Sequence, residues 1–305
     1  MRPSFYSVNE YLKETYGVKM YKLALNGGMT CPNRDGLIDT RGCIFCSAGG
    51  SGDFAGGMSG SPCIEEQIEA AKLLISKKYS GSDFIAYFQS FTNTYAKADF
   101  LRQLFMPVIK RDDIRILSFA TRPDCLDADI ISLLDELSRI KPVWIELGLQ
   151  TIHEKTAKYI RRGYSLNVYD DAMQKLNKIG VKTIVHMIIG LPEETSEMIL
   201  DTARYIAHSG AWGIKLQLLH VLKSTDLAKD YESGMFETMT QDAYIQLLGE
   251  IIENLPKDMV IHRLTGDGAK RLLTAPLWSA DKKHVHNSIM QYFKNNNIIQ
   301  GRKYK

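Results

Sequence analysis

Short runs rich in apolar, β-branched and aromatic residues alternate along this chain with amphipathic stretches, and that alternation narrows its fold more than anything else. The runs are MYKLALN (20–26), DFIAYFQ (83–89), IRILSFAT (114–121), VWIELGLQ (143–150), KTIVHMIIG (182–190), GIKLQLLHV (213–221) and MVIHRLT (259–265). Between them, CIEEQIEAAKLLISKKY (63–79) places Ile64, Ile68, Ala71 and Leu74–Ile75 at helical spacing. DADIISLLDELSRI (127–140) opens on an aspartate cap, and TSEMILDTARYIAHSG (195–210) opens on Thr195 and stops at a glycine. Strand and helix in regular order demand parallel pairing, because a parallel partner is reached only through a crossover. Six or seven such units predict an α/β parallel barrel, closed or partly open. A doubly wound open sheet is the alternative, but its usual GxGxxG after the first strand is missing. The chain has 305 residues, 45% of them apolar, enough for one barrel-sized domain or two ordinary ones.

The first strand runs instead into a cysteine loop, CPNRDGLIDTRGCIFCSAGG (31–50), inside a glycine-rich insertion over 27–62. Loops after strand C-termini build the active sites of α/β barrels, and a loop this long is usually functional or disordered. No N-terminal signal is visible in MRPSFYSVNEYLKETYGVKM, and no apolar run approaches the ~20 residues of a membrane span. A cytoplasmic protein without membrane contact is expected. Five cysteines in a reducing compartment then argue for metal or reactivity rather than disulfides. The spacing is Cys31-x11-Cys43-x2-Cys46, and the x2 pair sets two sulfurs on one metal centre. With Cys63 as a fourth ligand the loop makes a structural zinc site. With three thiolates on a [4Fe–4S] cluster it leaves one iron open, as a catalytic site requires. Cys63 and Cys125 otherwise read as buried small apolar residues.

Strand alternation collects polar groups on single faces: Glu146, Gly148 and Gln150 on the fourth strand, His186 and Gly190 on the fifth, Lys215 and Gln217 on the sixth. Arg122 ends the third. Such groups are costly to bury without partners, so a lumen lined by them predicts one polar ligand. Each has a plain structural alternative. Glu146 and Gln150 can form a network, His186 can be a core histidine, and Arg122 can pair with a nearby acid.

Charge is uneven. From Ala269 to Lys305 eight basic residues face one acid, so the tail carries +7 while the rest of the chain carries −4. Lys282, Lys283, Arg302 and Lys303 are candidate phosphate contacts, interleaved with Trp278, Tyr292 and Phe293. The same stretch can equally dock Val285, Ile289 and Phe293 on the barrel. His284 and His286 lack an accompanying acid or cysteine and read as a polar or RNA-facing stretch.

CIFC followed by SAGG, with Phe45 directly before the last cysteine, resembles the cluster loop of radical S-adenosylmethionine (SAM) enzymes. The long first gap resembles the subset that includes the catalytic subunit of Elongator. ATRPD (120–124), IELGLQT (145–151) and IIGLPEET (188–195) resemble the third, fourth and fifth strand ends of that subset. YLKETYGVKMYKLALNGGMTCPNRDG (11–36) and HRLTGDG (262–268) resemble the bacterial YtqA/YhcC-type (MnmL-like) family nearly end to end. The resemblance implies a partial (β/α)6-type parallel barrel over 1–225, with 1–19 as an N-terminal extension. A C-terminal α/β extension, 226–305, ends in the basic tail. It implies a [4Fe–4S] cluster on Cys31, Cys43 and Cys46, with SAM bound to the open iron. Phe45, Gln89, Ser90, Asn93, Arg122, Glu146, Gln150, His186 and Gly190 are the residues implied around SAM. FQSFTNTY (88–95) departs from the family in lacking glycines. The implied activity generates a 5′-deoxyadenosyl radical and modifies the tRNA wobble uridine, taking 5-carboxymethylaminomethyl-(2-thio)uridine to the aminomethyl form. Its partners would be tRNA and an external electron donor such as flavodoxin or ferredoxin, with no DNA. A radical SAM enzyme on a small metabolite and a non-catalytic, zinc-stabilised RNA-binding protein are the other classes.

Overall fold

The computed structural model describes residues 4–50, 63–77, 79, 81–266, 268 and 270–305. Residues 1–3 of the N-terminal extension, residues 51–62 of the cysteine insertion, Lys78 of the first helix candidate, and Asp267 and Ala269 at HRLTGDG and the start of the tail lie outside the described residues.

All seven apolar runs are strands of one sheet. They are β1 (Tyr21–Leu25), β2 (Phe84–Phe88), β3 (Ile114–Thr121), β4 (Val143–Gln150), β5 (Lys182–Ile189), β6 (Gly213–Leu218) and, after the two-residue β7 (Val221–Leu222), β8 (Val260–Arg263). The order is β1-β2-β3-β4-β5-β6-β8 and every pairing is parallel. Sequential order and uniform direction make the sheet a curled half-barrel with β1 and β8 at its edges. The partial barrel expected from the first six runs is thus lengthened by a seventh strand from the C-terminal extension. A short β9 (Leu273–Ala275) pairs antiparallel with β7.

Crossover helices cover the outer face: α2 (Ile64–Ile75), α3 (Ala98–Lys110), α4 (Ala128–Ser138), α5 (Glu154–Tyr159), α6 (Leu166–Lys178), α7 (Ser196–His208) and, after α8 (Asp226–Glu232), α9 (Gln241–Asn254). They start where the sequence provides caps. Asp127, Thr195 and Thr240 accept from the backbone N–H three residues on, satisfying a donor the helix itself leaves open. Outward residues of the sheet meet the helices in one apolar layer, as where Phe105 of α3 packs on Phe88 and Phe119 at 4.9 and 4.3 Å between ring centres. Among the described residues no helix is long and apolar enough to cross a membrane.

The inner face changes character along the strands. Near the strand starts it is apolar: Ile85, Ile116, Trp144, Ile184 and Val260 are buried together under α1 (Val8–Tyr16). A capping box between Ser7 and Glu10 opens that helix, and Gly17 ends it in the left-handed region, φ 74°. Tyr11 of α1 lies 4.7 Å from the Trp212 ring, and Lys182 sits over both rings. Further along the strands the inward positions are Tyr87, Ser118, Glu146, His186 and Lys215. An apolar plug at one end of the lumen leaves the polar end to be a site.

The C-terminal helix α10 (Lys282–Asn295) docks by Val285, Ile289 and Phe293, all essentially solvent-free. Trp278 donates to Met239 O at 3.0 Å and Phe293 packs edge-on against Phe5. Both aromatics belong to the packing, Phe293 by the helical spacing it shares with Val285 and Ile289.

Candidate active site

The cysteine loop is laced by hydrogen bonds and apolar anchors of its own. Between Cys43 and Cys46 the backbone turns tightly, Cys46 N–H to Cys43 O at 3.0 Å. The two residues inside the turn point different ways. Ile44 anchors in an apolar cluster with Ile160, Ile188 and Leu227, and its backbone bonds to Ile160 O and Leu227 N–H. Phe45 stays half-buried and walls the cavity. Arg34 donates to Ser47 O at 2.6 Å and Cys46 O at 3.3 Å and lies over the Phe91 ring. Asn33 donates to Arg161 O at 2.7 Å and reaches Cys43 Sγ at 3.5 Å.

Cys31, Cys43 and Cys46 all face one cavity of about 120 Å³. Cys43 is held toward thiolate, at about 6, chiefly by a hydrogen bond from the Cys46 thiol, then by Arg122, Asn33 and Arg34, against burial. The same bond, and burial, push Cys46 the other way. Among the described residues no three of His, Cys, Asp and Glu converge as the ligands of a single metal ion do. Three thiols facing one cavity fit a multi-iron group. Cys63 departs from expectation: it is exposed at the N-cap of α2, off the buried stripe of Gln67, Ile68 and Ala71. Cys125 is half-buried, and burial raises its thiol.

Opposite the cysteines stand the strand residues. Glu146 is fully shut from solvent and is the hub. Its Oε1 accepts from Lys22 at 2.5 Å and lies 3.5 Å from Ser118; its Oε2 accepts from Tyr87 at 2.6 Å, from His186 at 3.0 Å and from Lys215. Burial works against ionisation, but the two ammoniums and His186 outweigh it and hold the carboxyl well below its usual range. Burial also keeps His186 neutral, at about 4, and lowers Lys215 to about 7. Gln217 Nε2 reaches His186 Nδ1 at 3.2 Å.

Phe45, Gln89, Arg122, Glu146, Gln150 and His186 all line the cysteine cavity. Gln150 sits at a register irregularity between β4 and β5 with φ 66°, in the left-handed region that side chains seldom adopt. Its amide folds back over Gly148, where a Cβ would lie 2.7 Å from it. Arg122 pairs with Asp124 at 2.7 Å and stacks over Tyr164 while still facing the cavity. Ser90, Asn93 and Gly190 do not line it. Ser90 and Asn93 are buried, and Asn93 donates to Ala120 O at 2.9 Å. Gly190 turns with φ 88° at the end of β5, its Cα facing Met239.

Beside this cavity a second, of about 150 Å³, shares Phe45, Cys46, Tyr87, Gln89 and His186 and adds Lys215, Gln217, His220 and Arg263. The tail residues divide. Lys282 opens α10 close enough to Arg263 and His220 for their charges to be felt, with Lys283 beside it. Arg302 and Lys303 pair with Glu253 at 3.6 and 2.6 Å, beyond the far end of α9.

Family models match over most of the chain: "Radical SAM superfamily" over residues 40–206 and "Radical_SAM C-terminal domain" over 211–295. The chain belongs to the radical SAM superfamily. YtqA of Bacillus subtilis (strain 168) is 43% identical over 298 residues, 98% of this chain and 92% of that protein. YhcC of Escherichia coli (strain K12) is 35% identical over 272 residues, 89% and 86% of the two chains. Elp3 of Methanocaldococcus infernus superposes with a TM-score of 0.69 at 16% identity, over 92% of this chain and 64% of that one, a likeness of fold. The superfamily's cofactors are a [4Fe–4S] cluster and SAM, its electron comes from an external donor, and the donor set around the cavity fits that pair.

Sequence reasoning missed Tyr87, Lys22, Arg34, His220 and Arg263. Alternation in DFIAYFQ does place Tyr87 beside Gln89, and alternation was the signal available. Arg34 carried no signal, since its role depends on how the loop closes.

Proposed function

We propose that this radical SAM enzyme modifies the wobble uridine of tRNA, removing the carboxymethyl group of 5-carboxymethylaminomethyl-(2-thio)uridine to leave the aminomethyl form. The observation that carries the reading is the second cavity: it is basic, it adjoins the cysteines, and Lys282 stands near its rim. The 27% identity to Elongator complex protein 3 of Schizosaccharomyces pombe over 155 residues, half of this chain, supports a tRNA substrate. Cluster and SAM together supply a carbon radical able to take hydrogen from the C–H between the arm's nitrogen and its carboxylate; loss of one further electron to an external acceptor, and of a proton, followed by addition of water would release the arm as glyoxylate and leave the amine.

The residues of the chain do the rest. Cys31, Cys43 and Cys46 hold the cluster, on a loop kept in shape by Asn33, Arg34 and Ile44. Gln150, Gln89, Arg122 and His186 line the space for SAM, and Phe45 shields it from water. Ser90 and Asn93 hold their lining neighbours Gln89 and Thr92 in place, Gly190 turns the chain at the end of β5, and Glu146 acts through the side chains it orients. Lys282 and Lys283 are the tail cations suited to an anticodon-arm phosphate, since such contacts position RNA while base contacts select the nucleotide. Residues 1–225 then form the catalytic barrel and 226–305 the substrate-facing extension. Mass spectrometry of tRNA nucleosides from a deletion strain tests this. The carboxymethylaminomethyl nucleoside should accumulate at the expense of the aminomethyl one. An unchanged profile overturns the reading.

A further inference from the structure

The second cavity has a charge problem that a ligand would solve. Lys22 and Lys215 both pair with Glu146, one on each oxygen. Two ammoniums therefore share one carboxylate, and Lys215 is buried to 4% exposure. Lys22 keeps 28% of its side chain in solvent, so the cost falls on Lys215: burial lowers its ammonium to about 7, and an anion in the cavity would hold it charged. An ammonium carries three donors; Lys215 directs two of them to Glu146 and Tyr87. The cavity walls around it run along neighbouring strands: His186 of β5 stands beside Lys215 of β6 in the register, and Lys215 beside Arg263 of β8. Adjacent strands lie ~4.8 Å apart, so these side chains serve one small ligand. His220 brings a buried Nε2 that has no partner among the described residues, and burial holds that imidazole neutral, so it can donate without adding charge.

We propose that this cavity is a carboxylate pocket. The Lys215 ammonium and His220 Nε2–H hold the anion, with Arg263 and the Gln217 amide in the same wall. Resting on the wobble-uridine reading, the ligand is the carboxylate of the carboxymethylamino arm. The wall shared through Phe45, Cys46, Tyr87 and His186 then puts the carbon next to that carboxylate on the cysteine side. The pocket thereby chooses carboxymethylated over plain aminomethyl uridine, since a site built for an anion rejects a ligand that leaves its donors unpaired.

The test uses the reconstituted full chain and four probes in equilibrium binding: 5-carboxymethylaminomethyluridine, its methyl ester, 5-aminomethyluridine and uridine 5′-phosphate. The carboxylate should bind roughly tenfold tighter than the ester, the size expected for hydrogen bonds to a charged group. Lys215→Met should erase that preference. His220→Phe keeps the ring and leaves the ion pairs untouched, so it serves if Lys215→Met fails to fold; it should narrow the preference severalfold. Equal binding of acid and ester by the wild type overturns the pocket, and so does a uridine 5′-phosphate affinity that matches the carboxylate and falls with it in both variants. If acid is preferred to ester but carboxymethylaminomethyl tRNA is never converted, the pocket stands and the reaction assigned above fails. If the tRNA is converted while acid and ester bind alike, the reaction stands and the pocket fails.

Discussion

The Glu146 carboxylate of β4 and the Lys215 ammonium of β6 form a direct ion pair across the lumen, with side chains 0% and 5% exposed. β5 lies between their strands, and its His186 bonds to the same carboxylate oxygen. This arrangement holds the polar end of the half-barrel together and sets the protonation of what lines the site.

Removing the charge at the hub should therefore unfold more than it disarms. Glu146→Gln leaves the buried Lys215, and the half-buried Lys22 beside it, without their counter-ion, at a cost of about 3–5 kcal/mol. Adding Lys215→Met should recover part of that loss. Urea denaturation of the two variants checks both statements; a single variant as stable as wild type means the pair is dispensable.

Acid should destabilise the protein through its buried histidines. His186 is lowered to about 4, first by burial and then by Lys215. Between pH 6.5 and 4 the unfolded chain takes up a proton that the folded chain refuses, so the contribution of His186 is full above pH 6.5 and is lost as pH drops through that window. The depressed Glu146 adds its own loss only below the ordinary carboxylate range, about 4.5. His220, at about 4, falls in the histidine window too. Stability measured from pH 6.5 to 5 should drop less steeply in His186→Gln than in wild type, by the contribution of one proton. Identical slopes would show that His186 is not held neutral.

Cofactor loading should separate the loop from the strands. Anaerobically prepared protein should hold about four irons per chain, the content of one [4Fe–4S] cluster. Alanine at Cys31, Cys43 or Cys46 should abolish it, whereas Cys63→Ala and Cys125→Ala should retain it. Gln150→Ala should keep the iron and bind SAM more weakly by roughly tenfold, the scale of a hydrogen bond to a charged ligand. Full iron in Cys43→Ala, or unchanged SAM affinity in Gln150→Ala, contradicts the respective assignment.

The two halves of the basic tail should behave differently. Lys282→Gln with Lys283→Gln should weaken tRNA binding and flatten the slope of log K against log salt by about 1 to 2. Arg302→Gln with Lys303→Gln should leave that slope alone and lower stability, because Lys303 and Arg302 neutralise the nearly buried Glu253. Salt titrations that show the opposite pattern would move the RNA surface to the far end of the sheet.

Strand positions, parallel order and the cysteine loop were legible in the sequence because each is local. β-Rich runs bounded by turn residues, caps such as Asp127 and Thr195, and the CIFC spacing all carry their physics within a few residues. Alternation likewise turned Glu146, His186 and Lys215 onto common faces, which is a property of strand geometry alone, whereas Gln150 meets the cavity through the left-handed bend that ends β4. What only the tertiary structure decided is how those faces close on one another. The curl of the sheet brings Lys22 of β1 and Lys215 of β6 to the same carboxylate, 124 residues from the first and 69 from the second. It also turns Glu146 from a polar side chain on one strand into a hub occupied by five side chains. The tail shows the same divide. Composition counted its charges, but the docking of α10 put Lys282 near the mouth and left Arg302 and Lys303 at the other end. A chain's local pattern sets which elements form and which way their side chains face; the partners that decide charge and exposure come from strands distant in sequence, and only packing brings them together.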